Sequence, residues 1–237
     1  MRREQVKALI IALTPLICLI SMAVPSYFVP VICILPAYPL MILYLKEKQH
    51  LKAILLMLIW AAVLGISMTL IIYLFPNAAK EHILNGENYK NQMLEWVLTG
   101  IGKESTPAQF IPYHIFELII FIILSLCSAS LLSIILGAFL MNYMAYYVAN
   151  LALIGKNNWL LILGWHPWSL LRIISYVILG VVLSEPLLSK ITHNKYNYKP
   201  VRKYFIIAIL FWLSDLILKA LLAPYWQKIL KTIIEKI

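Results

Sequence analysis

Long apolar blocks separated by short polar punctuation dominate this chain. Blocks at 7–24, 27–45, 53–75, 168–188 and 203–223 each approach the about 20 residues a helix needs to cross a bilayer. A further block, 111–155, carries no formal charge from Leu118 to Gly155. As one helix it would extend roughly 68 Å at 1.5 Å per residue, about twice a ~30 Å hydrocarbon core. It is therefore predicted to be two spans joined by a tight turn near 125–133, around "SLCSAS". The pattern predicts an all-α, polytopic integral membrane bundle of about seven transmembrane helices, forming a single transmembrane domain over 1–237.

Local signals refine these elements. Pro30, Pro36 and Pro39 fall inside the second block and predict a bent or partly unwound span, because proline removes a backbone donor. Ala61 and Gly65 form a small-xxx-small pair suited to close helix contact, and Ala129, Ser133 and Gly137 form a packing stripe of the same kind. Residues 76–109 are the one substantial hydrophilic segment, expected outside the cytoplasm. Within it Tyr89, Met93, Trp96 and Val97 recur at helical spacing, and Gly100 supplies a stop. "TPAQ" then reads as a T-x-x-Q capping box, with Thr106 as N-cap, Pro107 in the first turn and Gln109 reaching back. Near the end, Trp226, Ile229, Leu230, Ile233 and Ile237 share one face, predicting an amphipathic interfacial helix at about 225–237.

Composition supports the membrane reading. The chain is 62% apolar and 13% charged, against roughly 45–50% and about 25% in soluble domains. The net charge of +10 does not point to nucleic acid, because the charges sit between apolar blocks, where orientation is set. "MRREQVK", "KEKQHLK" and the 190–203 loop all fall on one side of a seven-span topology, so the N-terminus is expected in the cytoplasm of a cell-membrane protein. Lys228, Lys231 and Lys236 disagree, since they fall outside. The N-terminal block is expected to be a retained span rather than a cleaved signal peptide, because a second block follows at once. Cys18, Cys33 and Cys127 lie in apolar blocks without a CxxC and read as small core residues.

Candidate chemistry is confined to polar groups within the blocks. There is no HExxH, GxSxG or GxxxxGK[ST] motif. His114 and Glu117 share a helix face at the start of the fourth span, but two ligands are too few for a metal, and no metal or cofactor is expected. Asn142, Tyr146 and Asn150 make a stripe in the fifth span, flanked by Tyr143 and Tyr147. His166 precedes Pro167 at the entry of the sixth span, between Trp165 and Trp168. Arg172 is a charge inside a span, which demands a partner or a watery cavity. Its depth below Pro167 matches that of Glu117 below Pro112, so these two are expected to pair. Asp215 is the rival partner; at i, i+4 with Lys219 it reads as self-compensating, with Lys219 snorkelling outward. Glu185 reads as interfacial. These groups suggest a transport protein, or the membrane subunit of one, with an outward-facing polar cavity. A noncatalytic assembly protein and an intramembrane enzyme acting on a lipid-linked substrate are the alternatives. The expected partners are the bilayer and a protein of a membrane complex.

Overall fold

A computed structural model describes residues 3–193 and 196–235. Among the described residues there are no strands. Helices follow in the order α1 (Arg3–Ser21), α2 (Val29–Cys33), α3 (Tyr38–Lys46), α4 (His50–Leu74), α5 (Pro76–His82), α6 (Gly86–Thr99), α7 (Pro107–Ser128), α8 (Leu131–Ile154), α9 (Leu160–Leu163), α10 (Pro167–Ile191) and α11 (Lys199–Glu235). Five of them, α4, α7, α8, α10 and α11, are long and apolar enough to cross a membrane.

By that measure the expected count of about seven becomes five, and both differences lie near the N-terminus. In α1 the apolar stretch among the described residues is Leu9–Ser21. The second block breaks into α2 and α3, with Pro30 and Pro39 in their first turns and Pro36 between them. Proline fits a first turn, where its missing N–H had no acceptor, and resists a helix passing through it. The broken segment still folds back along α4. Its start is anchored beyond the end of α4, where His82 Nδ1 lies 2.7 Å from the Val24 carbonyl. Its middle is caught by Trp60 Nε1, which donates to the Cys33 carbonyl at 3.0 Å. That bond supplies a donor to a carbonyl at the helix break, as an apolar surrounding requires.

The uncharged block 111–155 divides at the predicted turn. Helix α7 ends at Ser128, Ala129 and Ser130 take left-handed φ of 48° and 66°, and α8 begins at Leu131. Non-glycine residues occupy that region only when their surroundings hold them there. Here Ser130 Oγ donates to the Gly180 carbonyl at 2.5 Å, and Tyr38 Oη donates to the Ala129 carbonyl at 3.1 Å. Both bonds pin the turn to neighbouring elements.

Helix α8 is the axis of the bundle. In its most apolar stretch 61% of residues are buried, against 33% for α7 and 22% for α11, which present most of their surface outward. Helices α4, α6, α7 and α10 pack around α8, and α11 packs chiefly on α10. Cys18 and Cys33 lie in the core, whereas Cys127 is exposed on the bundle surface rather than serving as a core residue.

The hydrophilic segment folds over one end of the bundle. The buried face of α6 carries Met93, Trp96 and Val97 and packs on α8 and α11. Gly100 ends α6 in the left-handed region, at φ 74°, with its N–H bonded to the Trp96 carbonyl. Helix α7 starts at Pro107 as expected, but the capping box takes another form. Thr106 Oγ1 donates to Gln109 Oε1 at 3.1 Å, and no side chain caps the backbone. The C-terminal segment also departs from expectation. It is not a separate helix, because α11 continues through Pro224 to Glu235. Gln227 fastens its end to the cap by donating to the Val97 carbonyl of α6, and Trp226 donates to the Leu163 carbonyl of α9.

This path puts the α5–α6 cap at one end of the bundle and the starts of α4 and α11 at the other. In a Cys127→Ala background, an impermeant maleimide applied outside intact cells should label Lys90→Cys and leave Lys203→Cys unlabelled. Labelling of both from one side contradicts the arrangement; labelling of Lys203→Cys alone reverses the expected orientation.

Candidate functional site

Ionisable side chains from four parts of the chain meet beneath the cap. From α10, Arg172 donates to both carboxylate oxygens of Asp215 on α11, Nε to Oδ2 at 2.8 Å and Nη2 to Oδ1 at 3.1 Å. This bidentate pair is the strongest geometry available to a guanidinium and a carboxylate. One turn further along α11, Lys219 is 0% exposed and pairs with Glu104 from the cap loop. Its ammonium also lies 2.8 Å from His114 Nε2 and 4.4 Å from the centre of the Phe110 ring.

The sequence-based pairing is corrected here. Arg172 was expected to join Glu117, but it takes Asp215, the rival. Lys219 was expected to snorkel outward beside Asp215, but it points inward to Glu104 and His114. The reason is competition: a bidentate partner on an adjacent helix outmatches the single contact available within one helix. Asp215 is thereby consumed, and Lys219 must find another carboxylate.

The hydrogen-bond chain fixes the state of His114. A paired ammonium only donates, so Nε2 must accept, and the ring proton resides on Nδ1. Nδ1 faces Glu117 Oε2 at 3.4 Å. The order is thus Glu104, Lys219, His114, Glu117, with donation running in both directions from Lys219. Burial alone would push the Glu104 carboxyl up, but the nearby charges of Lys219 and Arg172 outweigh it and hold the carboxyl below the ordinary range.

Two chambers adjoin this cluster and share a wall of Tyr89, Glu117, Tyr143, Ser169 and Arg172. The outer chamber, about 160 Å³, lies under the cap. Asn85, Asn88, Gln92 and Lys103 bring polar groups to it, and Glu104, His114 and His166 complete its polar side. The inner chamber, about 100 Å³ on the same measure, lies between α4, α7, α8 and α10. Met57, Trp60, Phe121, Met141, Met144 and Trp165 make it mostly apolar. Tyr176 stacks on Phe121 there, with ring centres 4.6 Å apart.

The remaining candidates separate into two groups. His166 lines the outer chamber, stacked on Trp168 at 4.8 Å and edge-on to Trp96 at 5.6 Å, and its Nε2 has no hydrogen-bond partner. Asn142, Tyr146 and Asn150 line neither chamber. Tyr146 donates to Glu87 on α6, and Asn150 donates back to the Tyr146 carbonyl at 2.8 Å. Tyr146 thus ties α8 to the cap, while both polar atoms of the buried Asn142 amide have no hydrogen-bond partner. The stripe of Ala129, Ser133 and Gly137 also changes meaning. Ser133 and Gly137 line the inner chamber, and a Cβ built on Gly137 would have no neighbour within 4 Å.

Sequence reasoning missed Glu104 as a site residue. The available signal was the charge count: a lysine deep in a span needs a carboxylate, and Glu104 precedes the α7 entry. It also misread Glu185, which is 2% exposed and bonded to His50 at 2.8 Å and Lys48 at 3.2 Å. That ion cluster lies at the other end of the bundle, where Lys48 and His50 also line an open pocket with Lys199 and Lys203. Among the described residues no group of three or more His, Cys, Asp or Glu side chains is placed to hold a metal. Comparison with known proteins finds no matching family model, no matching curated protein and no matching solved structure.

Arg172→Ala and Asp215→Ala should each cost about 3–5 kcal/mol of stability, because each strands a buried charge. The double variant should cost less than the sum, by a coupling readable from unfolding in detergent micelles. Additive losses would mean that the pair is not coupled. Acid should act separately on Glu104. Its carboxyl is lowered in the fold, so its contribution is complete above the ordinary glutamate value of about 4.3 and fades as pH falls through the lowered native value. Glu104→Gln should remove that acid-dependent fall in melting temperature.

Proposed function

We propose that this protein is a membrane transport protein, or the membrane subunit of one, whose ligand enters from the cap side and is held between Arg172 and Glu117. The observation that carries this reading is the pair of chambers meeting at those two residues. A charge inside a span usually faces either a partner or a cavity; Arg172 has both. Two of its nitrogens are committed to Asp215, and Nη1 is not part of that pair. The proposed setting is the cell membrane, with the N-terminus in the cytoplasm and the cap outside.

Two alternatives fit less well. A purely structural role predicts a polar network closed on itself. His166 Nε2 and the Tyr176 hydroxyl are buried without partners while lining the chambers, which favours a ligand that comes and goes. An intramembrane enzyme needs a free acid or base. Both His114 nitrogens are already engaged, by Lys219 and Glu117, so His114 is a poor proton carrier and Glu117 is the one acid/base candidate left to that reading.

Access is the property to test. In a background lacking the native cysteines, Ser169→Cys should react with an impermeant thiol reagent from the side that labels Lys90→Cys. Glu117→Gln, which leaves both buried ion pairs intact, should reduce flux in reconstituted vesicles at least tenfold while the melting temperature stays close to wild type. A Ser169→Cys variant that is inert from both sides, or reached only from the opposite side, refutes an outward opening.

A further inference from the structure

We infer that the ligand of this site is a single-chain lipid whose head joins a phosphate to a primary ammonium. This inference rests on the transport reading and adds the substrate class.

The tail follows from the inner chamber. Along α8 its wall extends from Ser133 to Met144, about 16 Å by helix rise. That is close to half of a ~30 Å hydrocarbon core, the depth of one leaflet. Its lining of methionine and aromatic side chains suits a flexible hydrocarbon. Gly137 explains why the space stays open. Glycine inside a helix is unfavourable relative to alanine, and no neighbouring atom approaches closely enough to require it here. Gly137 lines the chamber, and the lack of a side chain there leaves that open space unfilled.

The head follows from the charge balance at the junction. Around the junction stand Arg172, Lys219 and the exposed Lys103 on one side of the count and Glu104, Glu117 and Asp215 on the other, three of each sign. A head of one sign would leave a charge uncompensated in a poorly hydrated site, whereas a zwitterion preserves the balance. The two groups left incompletely used have opposite character. Arg172 Nη1 can donate to a phosphate, a form of recognition to which guanidinium is well suited. Glu117 receives only the long contact from the neutral His114 ring, and can accept from an ammonium. Both residues line both chambers, which places the head where the tail emerges. His166 Nε2, buried and without a partner, offers a further polar contact on the head side.

The test uses the full chain purified in detergent, with a single-chain phosphoethanolamine lipid brominated on its chain as the probe. Bromine quenches Trp60 and Trp165, which line the inner chamber. Wild type should show saturable quenching. Gly137→Leu should lose it, with a melting temperature unchanged or raised, because the added side chain fills open space. The same chain carrying phosphocholine, phosphate alone or a carboxylate should bind at least tenfold more weakly, and Glu117→Gln should remove the preference for the ammonium head. No saturable quenching in wild type, or equal quenching in Gly137→Leu, overturns the assignment of the tail. Equal affinity for all heads overturns the assignment of the head. Binding without flux in vesicles would reject the transport reading and leave this inference standing. Flux of a water-soluble solute that survives Gly137→Leu would do the reverse.

Discussion

The structure depends on neutralising two cations inside an apolar bundle. An unpaired charge in a membrane interior costs several kcal/mol, so Arg172 and Lys219 dictate what must surround them. Asp215 answers Arg172 and ties α10 to α11, the most extensively packed helix pair. Glu104 answers Lys219, and it comes from outside the spans altogether. The requirement for that carboxylate brings the cap loop down onto the bundle, beside the helix entry at Pro107. Cap, α7, α10 and α11 are thereby joined through charge, while α4 and α8 are joined through apolar packing.

The same arrangement produces the site. Asp215 and Glu104 satisfy the cations only in part, and Glu117 is left with a weak neutral donor. A fully paired network would have sealed the bundle. This one leaves an acceptor and a donor at the boundary between a polar and an apolar chamber. Tyr89 and Tyr143, with ring centres 4.3 Å apart, stand in that shared wall. The opposite end of the bundle shows the contrast. There His50 and Lys48 both bond the same oxygen, Oε1, of Glu185.

Openness has a structural origin that sequence patterns can disguise. Small residues on a helix usually mean close packing. Gly65 fits that use, since the Met141 and Trp165 side chains lie 3.3 Å from where its Cβ would stand. Gly137, spaced like a packing residue, faces empty space instead. One glycine brings side chains together around the chamber, and the other keeps its interior clear.

The sequence by itself determined the local features. Hydrophobic block length specified spanning helices, and the excess length of 111–155 required the turn at Ala129 and Ser130. Gly100 and Pro107 marked a helix end and a helix start, because backbone stereochemistry acts over one turn. Prolines 30, 36 and 39 announced a disrupted second block, though not that it would fall into two short helices. The positions of Arg172, Asp215 and Lys219 within apolar blocks showed that a buried ionic site had to exist. Only the tertiary structure decided who met whom. Pairing depends on which helices are adjacent and how each is rotated, and equal depth along two helices specifies neither. That is why Arg172 found Asp215 rather than Glu117, why Lys219 turned inward to a loop glutamate, and why Tyr146 met Glu87 of the cap. The chambers themselves were invisible in one dimension, because a cavity is a property of the space between helices and belongs to no single one of them.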